Sequence, residues 1–284
     1  IGEYGMTAVI PSGIPFGTAS DQRRRFRRIE ADESLRLVYF GQIIPEKGVT
    51  GLVPALRRLR RLLSRPVELH LLGRCPPDYE ASLRAAMRTD GLEASVVWHG
   101  MLDREDVDRV LAEMHIAVLP LRVDEPFGRV GMEAAAQRLP VVANARAGFA
   151  SLLPQGYPYL LDDPMSVDDI VARVHSICSD QDACEQWVDL ACKQVREQGE
   201  LEQVILPRYM SFIEDVRSWA VTSPAHSGDM GSLLASWQMN RNLAQLVPEP
   251  LAVAPQMVAA GRPAAWRRYG RKIRIKLRNM VPET

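Results

Sequence analysis

The chain has 284 residues, 46% apolar and 25% charged, with 35 Lys and Arg balanced by 35 Asp and Glu. This is the composition of a soluble globular protein with ample material for a buried core, enough for one large domain or two smaller ones. No apolar run approaches the ~18 to 20 residues of a membrane span and no signal peptide opens the chain, both of which favour the cytosol.

The four cysteines, Cys75, Cys178, Cys184 and Cys192, show no Cys-x-x-Cys spacing and suit free thiols in a reducing compartment. The five histidines include no His-x-x-x-His pair, so no structural zinc is expected. The zero net charge hides an asymmetry. Residues 221–284 hold nine Lys and Arg against three Asp and Glu, +6, which leaves −6 for residues 1–220.

From Leu35 to Val142 apolar strands alternate with amphipathic helices, which predicts an α/β protein: a Rossmann-like parallel sheet with helices on both faces. Leu37–Phe40 reads as a strand running into the loop at Gly41. Leu52, Leu56, Leu59 and Leu63 recur at helical spacing over 49–63, with Arg57, Arg58, Arg60 and Arg61 on the other faces and Pro54 in the first turn. Val67–Leu72 is a short apolar strand stopped by Gly73. Asp103-Arg-Glu-Asp106 looks like a capped helix start leading to Val107, Val110 and Leu111. His115–Leu121 reads as a buried strand, and Met132–Gln137 as a helix.

Beyond Asn144 the pattern loosens. Residues 146–156 read as loop and a short turn, and Tyr159–Leu161 as a last short strand. Ser166-Val-Asp-Asp169 resembles a capping box with Asp in place of Glu, opening a helix to about Ser179. Helices near 182–198 and 202–220 follow. Residues 1–220 are thus expected to form one nucleotide-binding domain, 221–261 a proline-bearing linker with one helix at 232–246, and 262–284 a basic tail.

The densest information lies in Glu125-Pro-Phe-Gly-Arg-Val-Gly-Met-Glu133, two carboxylates either side of a glycine-containing turn that opens onto a helix. A helix N-terminus carries unpaired N–H groups and about half a positive charge, so the amides near Gly128, Arg129 and Val130 can hold a diphosphate. Glu125 can then accept hydrogen bonds from sugar hydroxyls and Glu133 from a ribose. On spacing alone, two solvated glutamates at a helix start fit as well.

The Glu-x7-Glu run and the following Ala134–Ala143 resemble the donor-binding half of the retaining family 4, or group 1, glycosyltransferases of GT-B fold. Val9–Gly13, Leu37–Gly48, Leu69–Gly73 and Val96–Gly100 are similar to further family landmarks in the same order. The resemblance covers roughly residues 8–220. It implies transfer of a sugar from a nucleoside diphosphate sugar to a glycan, lipid or protein acceptor with retention, needing no metal or other cofactor, in glycan biosynthesis. It also implies an N-terminal acceptor domain that the first residues here leave out. Lys47 and Glu125 take the catalytic positions, Lys47 neutralising the leaving diphosphate. Gly41, Gln42, Phe127, Gly128, Arg129, Val130 and Glu133 take donor-binding positions. Gln42 departs from the family, which usually has Arg there; Arg74 or Arg129 can supply the charge.

Other signals are blander. Asp106 and Asp108 mimic an Asp-x-Asp metal motif, but residues two apart on a helix point about 200° apart and cannot share an ion. His115 replaces an Asp common in the family and reads as a packing variation, and His99 as a core or loop residue rather than a base contact. In the tail, Trp266–Arg278 interleaves cations with Trp, Tyr, Ile and Leu, a pattern suited to peripheral contact with anionic lipid; nucleic acid is an unlikely partner because no recognised module accompanies the charge. The alternative function is a non-catalytic nucleotide-sugar-binding or interaction module. The sequence argues against hydride transfer, since no Gly-x-Gly-x-x-Gly follows the first strand.

Overall fold

The structure is a computed structural model that describes residues 8, 10, 12–15, 25–122, 128–146 and 148–222. Glu125, Phe127, the linker and the basic tail lie outside the described residues. By internal contacts the chain divides into two units, Val9–Met210, and Ile1–Ala8 with Ser211–Thr284. The first is the α/β body.

Its sheet has six parallel strands: β1 Leu35–Phe40, β2 Val67–Leu72, β3 Val96–Gly100, β4 Ile116–Leu119, β5 Val141–Asn144 and β6 Leu160–Leu161, in the order β3-β2-β1-β4-β5-β6. Parallel strands are covered on both faces, so they must be apolar at successive positions. β4 and β5 are buried along their whole length. At the edge, β3 is only partly covered and Val97 is exposed. Strand order reverses between β1 and β4, and the loops leaving those strands flank the crevice where ligands bind in open α/β sheets.

The helices are α1 Leu52–Leu62, α2 Pro77–Thr89, α3 Arg104–Ala112, α4 Arg129–Ala136, α5 Val167–Ser179, α6 Gln181–Gly199 and α7 Leu206–Thr222. α1 buries Leu52, Val53, Ala55, Leu56 and Leu59, while Arg57 turns outward to Asp90 at 2.7 Å. Pro54 falls in its first turn, where no intrahelical donor is lost. α2 is an addition to the elements read above. It starts on extended Pro76 with Pro77 in its first position, buries only Leu83 and Met87, and places Arg84 4.5 Å over the Trp98 ring.

The expected caps form locally. Asp103 Oδ1 accepts from the Asp106 N–H at 2.9 Å, and Ser166 Oγ from the Asp169 N–H at 3.2 Å. The Ser166 box is only half made. The Asp169 carboxylate accepts instead from the N–H groups of Asp162 and Asp163, at 2.7 and 3.2 Å, and from Arg173. Asp is one methylene shorter than the Glu that reaches back in a full box.

His115 is more than a packing variation. It is buried at the start of β4, with Nδ1 accepting from the Arg36 N–H at 3.0 Å and Nε2 facing Glu33 Oε1 at 3.0 Å. Arg27 stands beside both, its Nη2 3.1 Å from Glu33 Oε2. His115 Nε2 stands between the Arg27 Nε–H, which points at it from 3.2 Å, and the Glu33 carboxylate at 3.0 Å, so the tautomer decides which of the two it bonds. Ile14 brackets the end of α6, donating to Gly199 O and accepting from the Leu201 N–H, each at 3.0 Å. No described helix is long and apolar enough to cross a membrane.

Candidate functional site

The loop after β1 is held by close backbone approach. Gly41 has φ +125° and donates to Leu72 O at 3.0 Å, and a Cβ on Gly73 would stand 1.8 Å from Gly41 O. Glycine is required at both positions. Gln42 is exposed, and its carbonyl accepts from the buried Tyr39 hydroxyl at 2.7 Å. Ile43 donates to Arg74 O at 2.9 Å, which brings the β2 loop with its exposed arginine alongside Gln42.

Lys47 ends a single 3-10 turn, Pro45–Lys47, closed by left-handed Gly48 at φ +77°. A Cβ at Gly48 would lie 1.8 Å from Pro120 O, and the Arg122 N–H donates to Glu46 O at 3.1 Å. The lysine turn after β1 is therefore fastened to the backbone that leaves β4, across the switch point.

On the β4 side, Gly128 is left-handed at φ +60° and ψ +53° and starts α4 without a side-chain cap. The amides of Arg129 and Val130 belong to the first turn of α4, outside the intrahelical hydrogen-bond ladder, and with the helix dipole they favour an anion. The aromatic ring of Phe149, fully buried, sets this terminus: a Cβ on Gly128 would lie 2.9 Å from it and one on Gly131 2.5 Å. A Cβ on Gly41 would touch Val130 Cγ1 at 3.5 Å, so the β1 loop and the first turn of α4 are neighbours.

Glu133, in the second turn of α4, is largely buried at 16% side-chain exposure. Its Oε1 lies 3.2 Å from Arg104 Nη1 and 3.9 Å from Arg129 Nη2. Arg104 also donates from Nε to Asp108 Oδ2 at 3.2 Å, and Asp108 Oδ1 accepts from Gln137 Nε2 at 2.8 Å. Burial works against the Arg104 charge, but Glu133 and Asp108 outweigh it and raise its pKa.

The structure thus brings together Gly41, Gln42, Lys47, Gly128, Arg129, Val130 and Glu133 on the loops and helix start beside the switch point. Asp106 and Asp108 diverge as their spacing requires, Asp106 to Arg109 and Asp108 to Arg104 and Gln137. His99 turns to His70 on the next strand, Nε2 to Nδ1 at 2.9 Å with the rings stacked; burial lowers the pKa of both. The sequence reading missed Arg104, Gly131 and Phe149. A signal for one was present: glycine inside a helix is unfavourable and calls for a packing reason. A hollow of about 610 Å³ opens elsewhere, among Ser151, Gln155, Tyr157, Arg173 and Gln194.

The family model described as glycosyl transferases group 1 matches residues 20–194. The chain belongs to this family. Among curated relatives, it is 26% identical over 190 residues to the lipopolysaccharide 1,2-N-acetylglucosaminetransferase of Salmonella typhimurium, covering 62% of this chain and 48% of that one. It is 30% identical over 178 residues to the glycogen synthase of Mycobacterium tuberculosis, covering 63% and 41%. The match spans 41–48% of the length of these relatives. Similar solved structures include Anabaena Alr3699/HepE in complex with UDP and glucose, with TM-score 0.60 and 21% identity over 74% of this chain and 57% of that one. Sucrose-phosphate synthase from Thermosynechococcus elongatus gives TM-score 0.62 and 22% identity, covering 75% and 54%. The fold is that of the GT-B glycosyltransferases.

Proposed function

We propose that this glycosyltransferase chain supplies the donor half of a retaining enzyme: it holds a nucleoside diphosphate sugar and presents the sugar to an acceptor. Residues 1–220 form the donor-binding domain in this reading, and the acceptor is bound mainly by a further domain.

The observation that carries it is the fastening of the Lys47 turn to the β4 exit through Gly48 and Pro120, opposite the amide-bearing start of α4. One cation and one helix terminus then flank the same crevice without a metal. Preorganised charge of this kind acts where negative charge grows on the departing diphosphate. Glu133 accepts from the ribose, Glu125 positions the sugar, and the acceptor proton passes to the leaving oxygen, so no general base is required. The solved HepE complexes with UDP and with UDP-glucose are consistent with a nucleotide-sugar partner.

Gln42 favours a second reading. A neutral amide stands where the family usually places a cation, which suits a binding module with weakened chemistry. Calorimetric titration with UDP and GDP, free and sugar-linked, without and with magnesium, tests the proposal. Saturable binding that is independent of metal and lost in Lys47→Ala supports the donor half; a folded chain that binds none of them refutes it. Slow hydrolysis or transfer of the bound sugar separates the enzyme from the binding module.

A further inference from the structure

Two rungs join α3 to α4. Arg104 meets Glu133 at 3.2 Å, and four residues on along both helices Asp108 meets Gln137 at 2.8 Å. The rungs share a rail, since Arg104 Nε also binds Asp108 Oδ2 at 3.2 Å. Gln137 is buried at the end of α4, so the network is anchored in the core at one end and reaches the half-exposed Arg104 at the other.

The rung at Glu133 is asymmetric. Arg104 and Arg129 both make their contact at Oε1, at 3.2 and 3.9 Å. An ionised carboxylate has about four acceptor positions, so guanidinium contacts on one oxygen leave the other able to accept hydroxyl protons. A planar guanidinium held at both Nε and Nη1 fixes the plane of its partner better than a point charge does.

We infer that Arg104 is a positioning residue for ribose recognition: it holds the Glu133 carboxylate through Oε1 and aims Oε2 at the ribose hydroxyls of the donor nucleotide. This rests on the donor-site reading above. Arg104 acts through Glu133 and has no direct role on the diphosphate, which belongs to Lys47 and the α4 amides. Its removal therefore weakens discrimination for the ribose while sparing the rest of the ligand.

The test is calorimetric titration of the full chain with UDP and GDP, each against its 2′,3′-dideoxy analogue, for wild type, Arg104→Gln and Arg104→Lys. Wild type is expected to prefer the ribose form of the nucleotide it binds by about tenfold or more, the equivalent of one hydrogen bond to a charged group. Arg104→Gln should reduce that preference to about threefold or less with dideoxy affinity almost unchanged, and Arg104→Lys should restore part of it. Asp108→Asn, which loosens the rail and leaves Arg104 in place, should give an intermediate preference and covers the case in which Arg104→Gln does not fold. Equal loss for both ligands, or an unchanged ratio, overturns the positioning role while leaving the donor site standing. Failure of wild type to bind any of the four nucleotides overturns the donor site, and this inference with it.

Discussion

The ring of Phe149 lies where a side chain on Gly131 would have to go, 2.5 Å from the position of its Cβ. Gly131 sits inside α4, where alanine would ordinarily gain about 1 kcal/mol in helix propensity. Here the order should invert. Gly131→Ala is expected to destabilise the protein by about 1 to 3 kcal/mol, because the buried ring must shift in a packed core. Denaturant unfolding measures it, and a stabilised variant would show that the ring moves freely. Nucleotide affinity should fall in parallel, since the same ring sets the first turn of α4.

Gly48 and Lys47 separate scaffold from chemistry. Gly48→Ala forces a Cβ toward Pro120 O from a left-handed backbone, so stability should drop by at least about 1 to 3 kcal/mol and binding should weaken with it. Lys47→Ala should cost less stability than Gly48→Ala while affinity for UDP or GDP collapses. A Lys47 variant that unfolds more readily yet binds normally would assign the lysine to structure.

Glu133→Ala should weaken nucleoside diphosphate binding by about 1 to 3 kcal/mol if a ribose hydroxyl loses its acceptor. Some of that loss reflects Arg104 and Arg129 left without their shared partner. Full affinity in a folded variant would remove Glu133 from the site.

The His115 cluster predicts acid sensitivity. Burial lowers the pKa of His115, against the opposing pull of Glu33 and with help from Arg27 and Arg36. Glu33 would be raised by burial, but the Glu30 N–H, His115 and Arg27 outweigh this and bring it to about 2 from 4.5. The unfolded chain therefore takes up protons first at both positions. The histidine contribution is complete above about pH 6.5 and declines as pH falls below it; the glutamate contribution is complete above about pH 4.5 and declines toward 2. Glu113 also faces Arg27 and Arg36, so all five groups belong to one network. Urea midpoints should fall between pH 7 and 5 in wild type and less steeply in His115→Asn, whose amide oxygen can still accept from Arg36. Because burial lowers the pKa of His70 and His99 as well, the difference between the two curves carries the result, and parallel curves would dismiss it.

Sequence alone determined the elements whose causes are local. β1, β2, β4 and β5 are apolar runs because parallel strands are buried on both faces; Asp103 and Ser166 cap helices three residues away; the Gly128 turn opens onto α4. α2 escaped because only Leu83 and Met87 face its core side, too few for a helical period to stand out. The tertiary structure decided what depends on residues distant in the chain. It set the strand order that puts β1 beside β4, the contact that makes Gly48 obligatory against Pro120, and the capture of Glu133 by Arg104, 29 positions earlier. It also diverted the Asp169 carboxylate from its expected cap to Asp162 and Asp163. Periodicity and capping are written in consecutive residues, whereas which backbone a glycine must admit, and which cation a carboxylate meets, exist only once the sheet has closed the distance between them.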